Sequence, residues 1–303
     1  MKKILTLLLA LWMLTGCVAM AAGNQLVVGS TTAMSGAFFT DLFGSNTADI
    51  DVRALLHGYN LMRWDNETGT YQINDSVVAG MAVSRDAQNN RVYTFDLYGD
   101  LKFSDGSAIT AKDYAFSILL TASPELAKLG GQSAAVGAIL GMDAYQSGKS
   151  SVLRGVRLLS DTQMSITISK AYEPYFYEMA LFDYSPYPIS VLAPGCKVVD
   201  TEKGVGIVNA GGTGAAIFTA GLLQKTILDA ATGYMSHPSV VSGPYTLTRY
   251  DAQSGTASFA INPYYKGNED GEKPTIETIV YRSVANDEAI DLLLSGEVDL
   301  LNK

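Results

Sequence analysis

The stretch from Tyr93 to Leu120 constrains the fold more than any other part of this sequence. It begins with alternating apolar residues, Tyr93, Phe95 and Leu97, and this period of two predicts a half-buried strand. Ser104-Asp105-Gly106 follows, and it predicts a turn because glycine adopts positive φ angles at little cost. The stretch therefore predicts a strand and a tight turn before its last third.

A helix is predicted to complete the stretch. Thr110 occupies the expected N-cap position, and Asp113 stands three residues later, as in a capping box with a short acidic side chain. Apolar residues then recur at helical spacing: Ala111, Tyr114, Ala115, Ile118 and Leu119. Such a stripe is typical of a helix that packs one face on a sheet.

Composition narrows the class of protein. The chain has 303 residues, of which 48% are hydrophobic and 17% charged, so it can bury a substantial core. Its net charge of −9 argues against nucleic acid and against anionic membrane surfaces as partners.

The first residues are typical of a bacterial targeting segment. Lys2-Lys3 precedes an apolar run from Ile4 to Leu14, which is short for a membrane-spanning helix. Leu14-Thr15-Gly16-Cys17 resembles the lipobox, where a signal peptidase cuts before a cysteine whose thiol carries the lipid. The alternative is ordinary secretion with cleavage after Ala19-Met20-Ala21.

We therefore predict a lipoprotein signal peptide at residues 1–16, a lipidated tether at 17–23 and a folded domain at 24–303. Lipidation of Cys17 would hold that domain at the extracytoplasmic face of the cell membrane or in the periplasm.

The last part of the chain predicts a hairpin, a strand and a helix. Ser242-Gly243-Pro244-Tyr245 should open a strand that ends near Tyr250, and a return strand carries Ala257, Phe259 and Ile261 on one face. An apolar strand at 276–282 and a helix capped by Asn286 should follow.

Together these motifs resemble one family, the extracellular solute-binding proteins of family 5, which bind oligopeptides or dipeptides for ABC importers. The resemblance is carried by an ordered set of residues, namely Lys102, Phe103, Ser104, Asp105, Gly106, Thr110, Asp113, Gly243, Pro244 and Tyr245. We expect these residues to have structural roles, since they form turns, a helix cap and a strand start.

The resemblance implies an α/β fold, the first lobe of a periplasmic-binding-protein-like clamp (type II-like), with a smaller inserted subdomain at about 46–163. It implies a monomer without cofactors that passes a peptide or similar small solute to permease and ATPase subunits. Family members run considerably further than Lys303. We therefore expect a chain that is truncated near the hinge, lacks the second lobe and binds its ligand weakly or not at all.

Candidate ligand contacts come from two places. In the family, the loop after the first strand lines the cleft, which suggests Thr31, Thr32 and Phe38. An aromatic-rich stretch at 172–187 has two interpretations: core packing of a helix at 174–181, and a ligand-facing wall made of Phe182, Tyr184 and Tyr187. Both interpretations stay open at this point.

No catalytic or metal-binding motif is evident, so we predict that the chain is not an enzyme. His57 and His237 lie far apart, no Gly-x-Ser-x-Gly motif is present, and Asp49 and Asp51 are expected to be solvated at a helix start. Two alternatives remain: a secreted hydrolase with Cys196 as nucleophile, and an extracellular receptor or adhesion module on the same fold.

Overall fold

The computed structural model describes residues 24–132 and 137–302. The predicted signal peptide, Cys17 and the tether lie outside the described residues. Within the described ranges, no helix combines the length and the apolar character that crossing a membrane requires.

Fourteen strands and seven α-helices are found in the described residues. The strands are β1 (Gln25–Ser30), β2 (Met62–Asp65), β3 (Thr70–Ile73), β4 (Val78–Arg85), β5 (Arg91–Leu97), β6 (Val152–Leu153), β7 (Val156–Leu158), β8 (Gln163–Ile168), β9 (Cys196–Thr201), β10 (Gly204–Asn209), β11 (Tyr245–Asp251), β12 (Thr256–Ile261), β13 (Thr278–Ser283) and β14 (Leu300–Asn302). The helices are α1 (Thr47–Leu56), α2 (Ala111–Thr121), α3 (Pro124–Ala127), α4 (Met142–Gln146), α5 (Ile189–Leu192), α6 (Ala220–Thr226) and α7 (Ala289–Ser295).

A five-stranded mixed sheet is built from both ends of the chain. Its order is β11-β12-β13-β1-β14, and β1 runs parallel to both of its neighbours. Strands β11 and β12 form the predicted antiparallel hairpin, and Ala257 and Phe259 of β12 are fully buried. The predicted strand near 276–282 is confirmed as β13.

Helix α1 packs on this sheet through Ala48, Val52 and Leu56, which recur at intervals of four residues. The expectation that Asp49 and Asp51 are solvated is wrong. Asp49 is fully buried and accepts hydrogen bonds from the backbone N–H and the hydroxyl of Ser35, at 2.9 and 2.6 Å. Asp51 is half-buried and accepts hydrogen bonds from the Tyr281 hydroxyl, at 2.8 Å, and from the side-chain amide of Asn302, because strands β13 and β14 lie against this part of the helix.

The other three sheets surround a second, larger core. They are the four-stranded sheet β4-β5-β8-β7, the three-stranded sheet β6-β10-β9 and the hairpin β2-β3. Helix α2 lies in the middle of this core: Tyr114, Phe116 and Leu120, on different sides of the helix, are all fully buried. The predicted apolar stripe is therefore present, but the helix is covered nearly all round.

Four of the motif residues form the turn, the helix cap and a contact between segments. Gly106 has a φ of +84°, and the Asp113 carboxylate accepts hydrogen bonds from the N–H and hydroxyl of Thr110 at 2.8 and 2.9 Å. Ser104 also connects the two cores: its N–H donates to the Val241 carbonyl at 2.8 Å, and its hydroxyl accepts from the Val241 N–H at 3.0 Å.

The packing suggests other bounds for the inserted subdomain that was predicted at 46–163. Residues 47–56 belong to the core of the five-stranded sheet, whereas the larger core extends to Tyr234. We propose that the inserted unit begins after Gly58 and continues to about residue 234.

Two local predictions are wrong. The predicted helix at 174–181 is replaced by a short 3₁₀ helix, Glu178–Phe182, preceded by exposed residues at 175–177. Asn286 does not cap a helix; Glu288 precedes α7 at that position. In the first case Pro174 suggested a helix start, and in the second Asn286 suggested an N-cap. In both cases the helix begins a few residues later, at Glu178 and at Ala289.

Candidate ligand-binding site

The carboxyl ends of three strands meet at one edge of the five-stranded sheet, because β1 is parallel to β13 and β14. The predicted residues Thr31 and Thr32 lie at this edge, and both are half-buried. The Thr31 N–H donates to the Asn302 carbonyl at 3.4 Å, and the Thr32 N–H donates to the Ser30 hydroxyl at 3.3 Å. In open α/β sheets, ligands commonly bind outside such carboxyl ends.

A cleft opens between the loop after β1, helix α1 and the segment that follows the 3₁₀ helix at 178–182. It consists of two adjoining cavities of about 260 and 410 Å³. Five residues line both cavities: Thr40, Asp41, Asp183, Ser185 and Tyr187. The volume is in the range of small-molecule sites in proteins.

Helix α1 forms one wall of the cleft with the face that it does not bury on the sheet. Ile50, Arg53, Ala54 and His57 line the larger cavity and recur at intervals of three and four residues. Helix α2 contributes Ser117 and Thr121 to the smaller cavity.

Two predicted ligand residues, Tyr184 and Tyr187, line the cleft. Burial raises the pKa of Tyr184 to about 12 and raises the pKa of Tyr187 further, so both phenols stay protonated at neutral pH. Within the described residues, neither hydroxyl has a hydrogen-bond partner. Each can therefore bond to a solute in the cleft, and the ring beside it can pack on apolar parts of that solute.

The two carboxylates shared by the cavities are nearly without partners. Asp183 accepts one hydrogen bond, from the side-chain amide of Asn60 at 2.7 Å, and desolvation raises the pKa of this aspartate. Asp41 accepts none from the side chains and backbone that the structure describes. The guanidinium of Arg53 donates instead to the Ala37 carbonyl at 2.7 Å and to the Ser45 hydroxyl at 3.2 Å.

His57 is neutral in this setting. Its Nε2 lies 3.0 Å from the Phe38 carbonyl, and a carbonyl only accepts, so Nε2 carries the proton. Desolvation is the main cause that lowers the pKa of His57 to about 4; the hydrogen bond to Phe38 opposes the shift, and the nearby Arg53 charge adds to it. The imidazole therefore adds no positive charge to the cleft at neutral pH.

The other two predicted aromatic contacts need correction. Phe38 is fully buried in the core of the five-stranded sheet, with its ring 4.7 Å from that of Tyr250. Phe182 is fully buried in the larger core, with its ring 4.6 Å from that of Tyr93. Both side chains point away from the cleft and into a core, Phe38 into that of the five-stranded sheet and Phe182 into the larger one. Thr31 and Thr32 do not line the described cavities, and their ligand contact stays a prediction.

Several residues of the cleft were not predicted from the sequence. Asp41 and Asp183 are 142 positions apart by number, and no local pattern indicates that they share a wall. A signal did exist in helix α2, where Ser117 and Thr121 interrupt an apolar helix four residues apart.

Two observations on the described residues bear on the hydrolase alternative. The described residues contain no group of three or more histidine, cysteine, aspartate or glutamate side chains that could hold a metal. Cys196, the nucleophile of the hydrolase alternative, is buried at the start of β9, and burial raises the pKa of its thiol. A thiol of this kind is a poor nucleophile.

Solved structures share this fold. Lactococcal OppA, complexed with an endogenous peptide in the closed conformation, superposes with a TM-score of 0.64 at 20% identity. OppA of Listeria monocytogenes bound to peptide gives 0.62 at 19% identity. The alignments cover 93% and 91% of this chain but 46% of each solved chain. The fold is thus periplasmic-binding-protein-like, and the chain spans about half of these structures.

The chain is also similar in sequence to curated oligopeptide-binding proteins. The periplasmic oligopeptide-binding protein OppA of Escherichia coli K12 is 33% identical over 111 residues, or 36% of this chain and 20% of that protein. The oligopeptide-binding protein OppA of Lactococcus lactis IL1403 is 26% identical over 228 residues, or 74% and 32%. The family model for bacterial extracellular solute-binding proteins, family 5, matches residues 76–303. The chain belongs to the bacterial extracellular solute-binding proteins of family 5.

Proposed function

We propose that this chain captures peptides or similar small solutes outside the cytoplasm and passes them to the permease and ATPase subunits of an ABC importer. The cleft lined by Tyr184 and Tyr187 is the observation that carries the proposal. Its phenols offer unpaired hydroxyls beside apolar rings, and the hydroxyls of Thr121 and Ser185, which donate to the Ser117 carbonyl and to the Asn60 side chain, can still accept hydrogen bonds. Such a surface can bond to peptide backbone groups while water fills the space around varied side chains.

Binding by the 303-residue chain alone should be weak, in the millimolar range. The chain spans 46% of the peptide-bound OppA structures that it resembles, so contacts from the rest of such a clamp are not provided by these residues. A solute held on one side loses part of its buried area and remains open to water.

Calorimetry with a mixed pool of di- to pentapeptides tests this function. We expect weak, saturable heat from the unmodified chain and none from Ala54→Trp, because Ala54 is exposed on helix α1 and an indole there fills the larger cavity. Ala127→Trp, at an exposed alanine of helix α3, should bind like the unmodified chain. Micromolar affinity would contradict weak binding, and equal binding by both variants would place the solute elsewhere.

The second part of the proposal is a lipid anchor on Cys17. The basis is the Leu14-Thr15-Gly16-Cys17 sequence at the end of the apolar run. Each buried methylene of an acyl chain contributes about 0.8 kcal/mol to membrane binding, so a diacylated cysteine should hold the domain on the membrane. Replacing Cys17 by serine should release the protein into the soluble fraction and abolish labelling by radioactive palmitate; labelling that persists in this variant would contradict the anchor.

A further inference from the structure

Strand β4 is a sheet edge that the described residues leave uncovered. It has eight residues and ends the sheet β4-β5-β8-β7, and no other backbone segment of the described chain bonds to its outer side. The Asp86 N–H donates to the Asn90 carbonyl at 3.0 Å, which fixes the alternation of the hydrogen bonds between β4 and β5. Counted from this pair, the even-numbered residues of β4 bond to β5, so Met81 and Val83 direct their N–H and C=O groups outward.

This edge lacks the features by which proteins usually protect such strands, namely short length, charged residues and proline. Strand β4 contains no proline and carries its only charge at its last residue, and Val83 is 53% exposed. Of the other edge strands in the described residues, β2, β3, β6, β7 and β14 have at most four residues, β9 carries Lys197 and Asp200, and β11 carries Arg249 and Asp251. Strand β4 is thus the long edge that is open to pairing with a further strand.

An apolar surface lies beside the end of β4. The residues at 175–177 are all aromatic, and their side chains are between 46 and 81% exposed. Ion pairs hold this segment at both ends: Glu173 pairs with Arg85 of β4 at 2.6 Å, and Glu178 pairs with Arg91 of β5. The two arginines balance the two carboxylates, so this corner of the molecule carries no net charge from these groups, although the chain as a whole carries −9.

We propose that two copies of this chain associate by pairing their β4 strands antiparallel across a two-fold axis at Ala82. In this register Met81 of each copy lies opposite Val83 of the other, so the outward N–H and C=O groups of both residues gain partners and their apolar side chains meet. Arg85 does not face its own counterpart, so no like charges lie opposite each other. The proposal differs from the monomer that the resemblance implies, and it does not involve the solute cleft.

The available area fits a dimer of modest stability. Val83 lies opposite Tyr93, whose ring contacts Phe182, so the Val83 side chain points to the sheet face on which the segment at 173–182 lies. Across the two-fold axis, each aromatic segment can pack on the edge of the other copy. Six aromatic side chains that are about half exposed supply about 600 Å², and with the paired strands the interface comes near the lower limit of specific interfaces, about 1,200 Å². We expect a dissociation constant of about 10 µM.

Sedimentation equilibrium of the full chain between about 1 and about 100 µM tests the association. The mass should rise with concentration toward twice that of one chain. Val83→Lys should raise the dissociation constant at least about tenfold, because it places a charge in the apolar edge. The control Leu159→Lys should leave it unchanged, since Leu159 is also 53% exposed but follows β7, at the opposite edge of the same sheet.

Engineered cysteines test the register. Across the proposed axis the two Ala82 residues form a non-hydrogen-bonded pair with Cα atoms about 4.5 Å apart, a distance that a disulfide spans. Ala82→Cys should therefore give a covalent dimer on oxidation, whereas Ala87→Cys, in the exposed turn beyond β4, should not. Both variants carry Cys17→Ser, and Cys196 is buried.

Several outcomes would contradict the pairing. A chain that stays monomeric up to about 100 µM would overturn it, as would a dimer that Val83→Lys does not weaken or cross-links that form equally in both cysteine variants. If circular dichroism shows that Val83→Lys does not fold, the cross-link of Ala82→Cys decides alone. Protection of the Met81 and Val83 amides from hydrogen exchange by an added peptide pool, in a chain that stays monomeric, would assign the edge to a peptide instead of a second copy.

Discussion

Replacing Phe182 by alanine should lower the free energy of unfolding by about 3–5 kcal/mol, the usual cost of truncating a buried phenylalanine. Its side chain is fully buried, and its ring contacts those of Tyr93 and Phe95 with centroids 4.6 and 5.4 Å apart. Truncation removes apolar area from the core and leaves a cavity between the 3₁₀ helix and strand β5. Urea unfolding followed by circular dichroism measures the loss.

Phe176 provides a matched control from the same aromatic stretch. Its side chain is 81% exposed, so Phe176→Ala should change the free energy of unfolding by less than about 0.5 kcal/mol. If Phe182→Ala unfolds like the control and instead weakens peptide binding, then Phe182 is a ligand contact and its placement in the core is wrong.

Replacing Gly243 by alanine should cost about 3 kcal/mol of unfolding free energy, because the added methyl group has no space. A Cβ atom there would lie 2.5 Å from the Leu55 carbonyl oxygen and 2.8 Å from the His57 nitrogen. These are backbone atoms at the end of helix α1, so they cannot rotate away. The Gly243 N–H also donates to the Leu56 carbonyl at 2.8 Å, and the helix can move only by breaking this bond. The shift of the urea midpoint reports the cost.

Gly211 serves as the control for this substitution. It lies in an exposed turn after β10, and a Cβ atom there would meet no other atom within 4 Å. Gly211→Ala should therefore change the unfolding free energy by less than about 1 kcal/mol, and it can even stabilise the chain by restricting the unfolded state. Equal effects of the two substitutions would show that the contact between Gly243 and helix α1 is not tight.

Much of the fold could be predicted because the strongest signals are local. The turn at Ser104-Asp105-Gly106, the capping box of Thr110 and Asp113 and the hairpin after Gly243 are all set by residues within a few positions of one another. In each of these segments the conformation that the residues favour locally is also the one that the folded protein requires, so the sequence pattern predicts the structure correctly.

The cleft could be predicted only in part. The aromatic stretch indicated Tyr184 and Tyr187, but the same pattern suggested Phe182, whose neighbours bury it completely. Aromatic residues serve cores and binding sites equally well, and periodicity does not separate the two uses. Asp41 and Asp183 share a wall of the cleft because two segments far apart in the sequence, at 39–42 and 182–187, both pack on the larger core, and no short pattern encodes that contact.

The position of β1 has a consequence for the order of events during synthesis. This strand is made first among the described strands, yet its two partners, β13 and β14, emerge about 250 residues later. Until then its main-chain N–H and C=O groups on both sides have no sheet partners, while the larger core can already assemble from contiguous sequence. Contacts of such long range slow folding, so β1 can join its sheet only after β13 and β14 have been made, and this sheet is completed late.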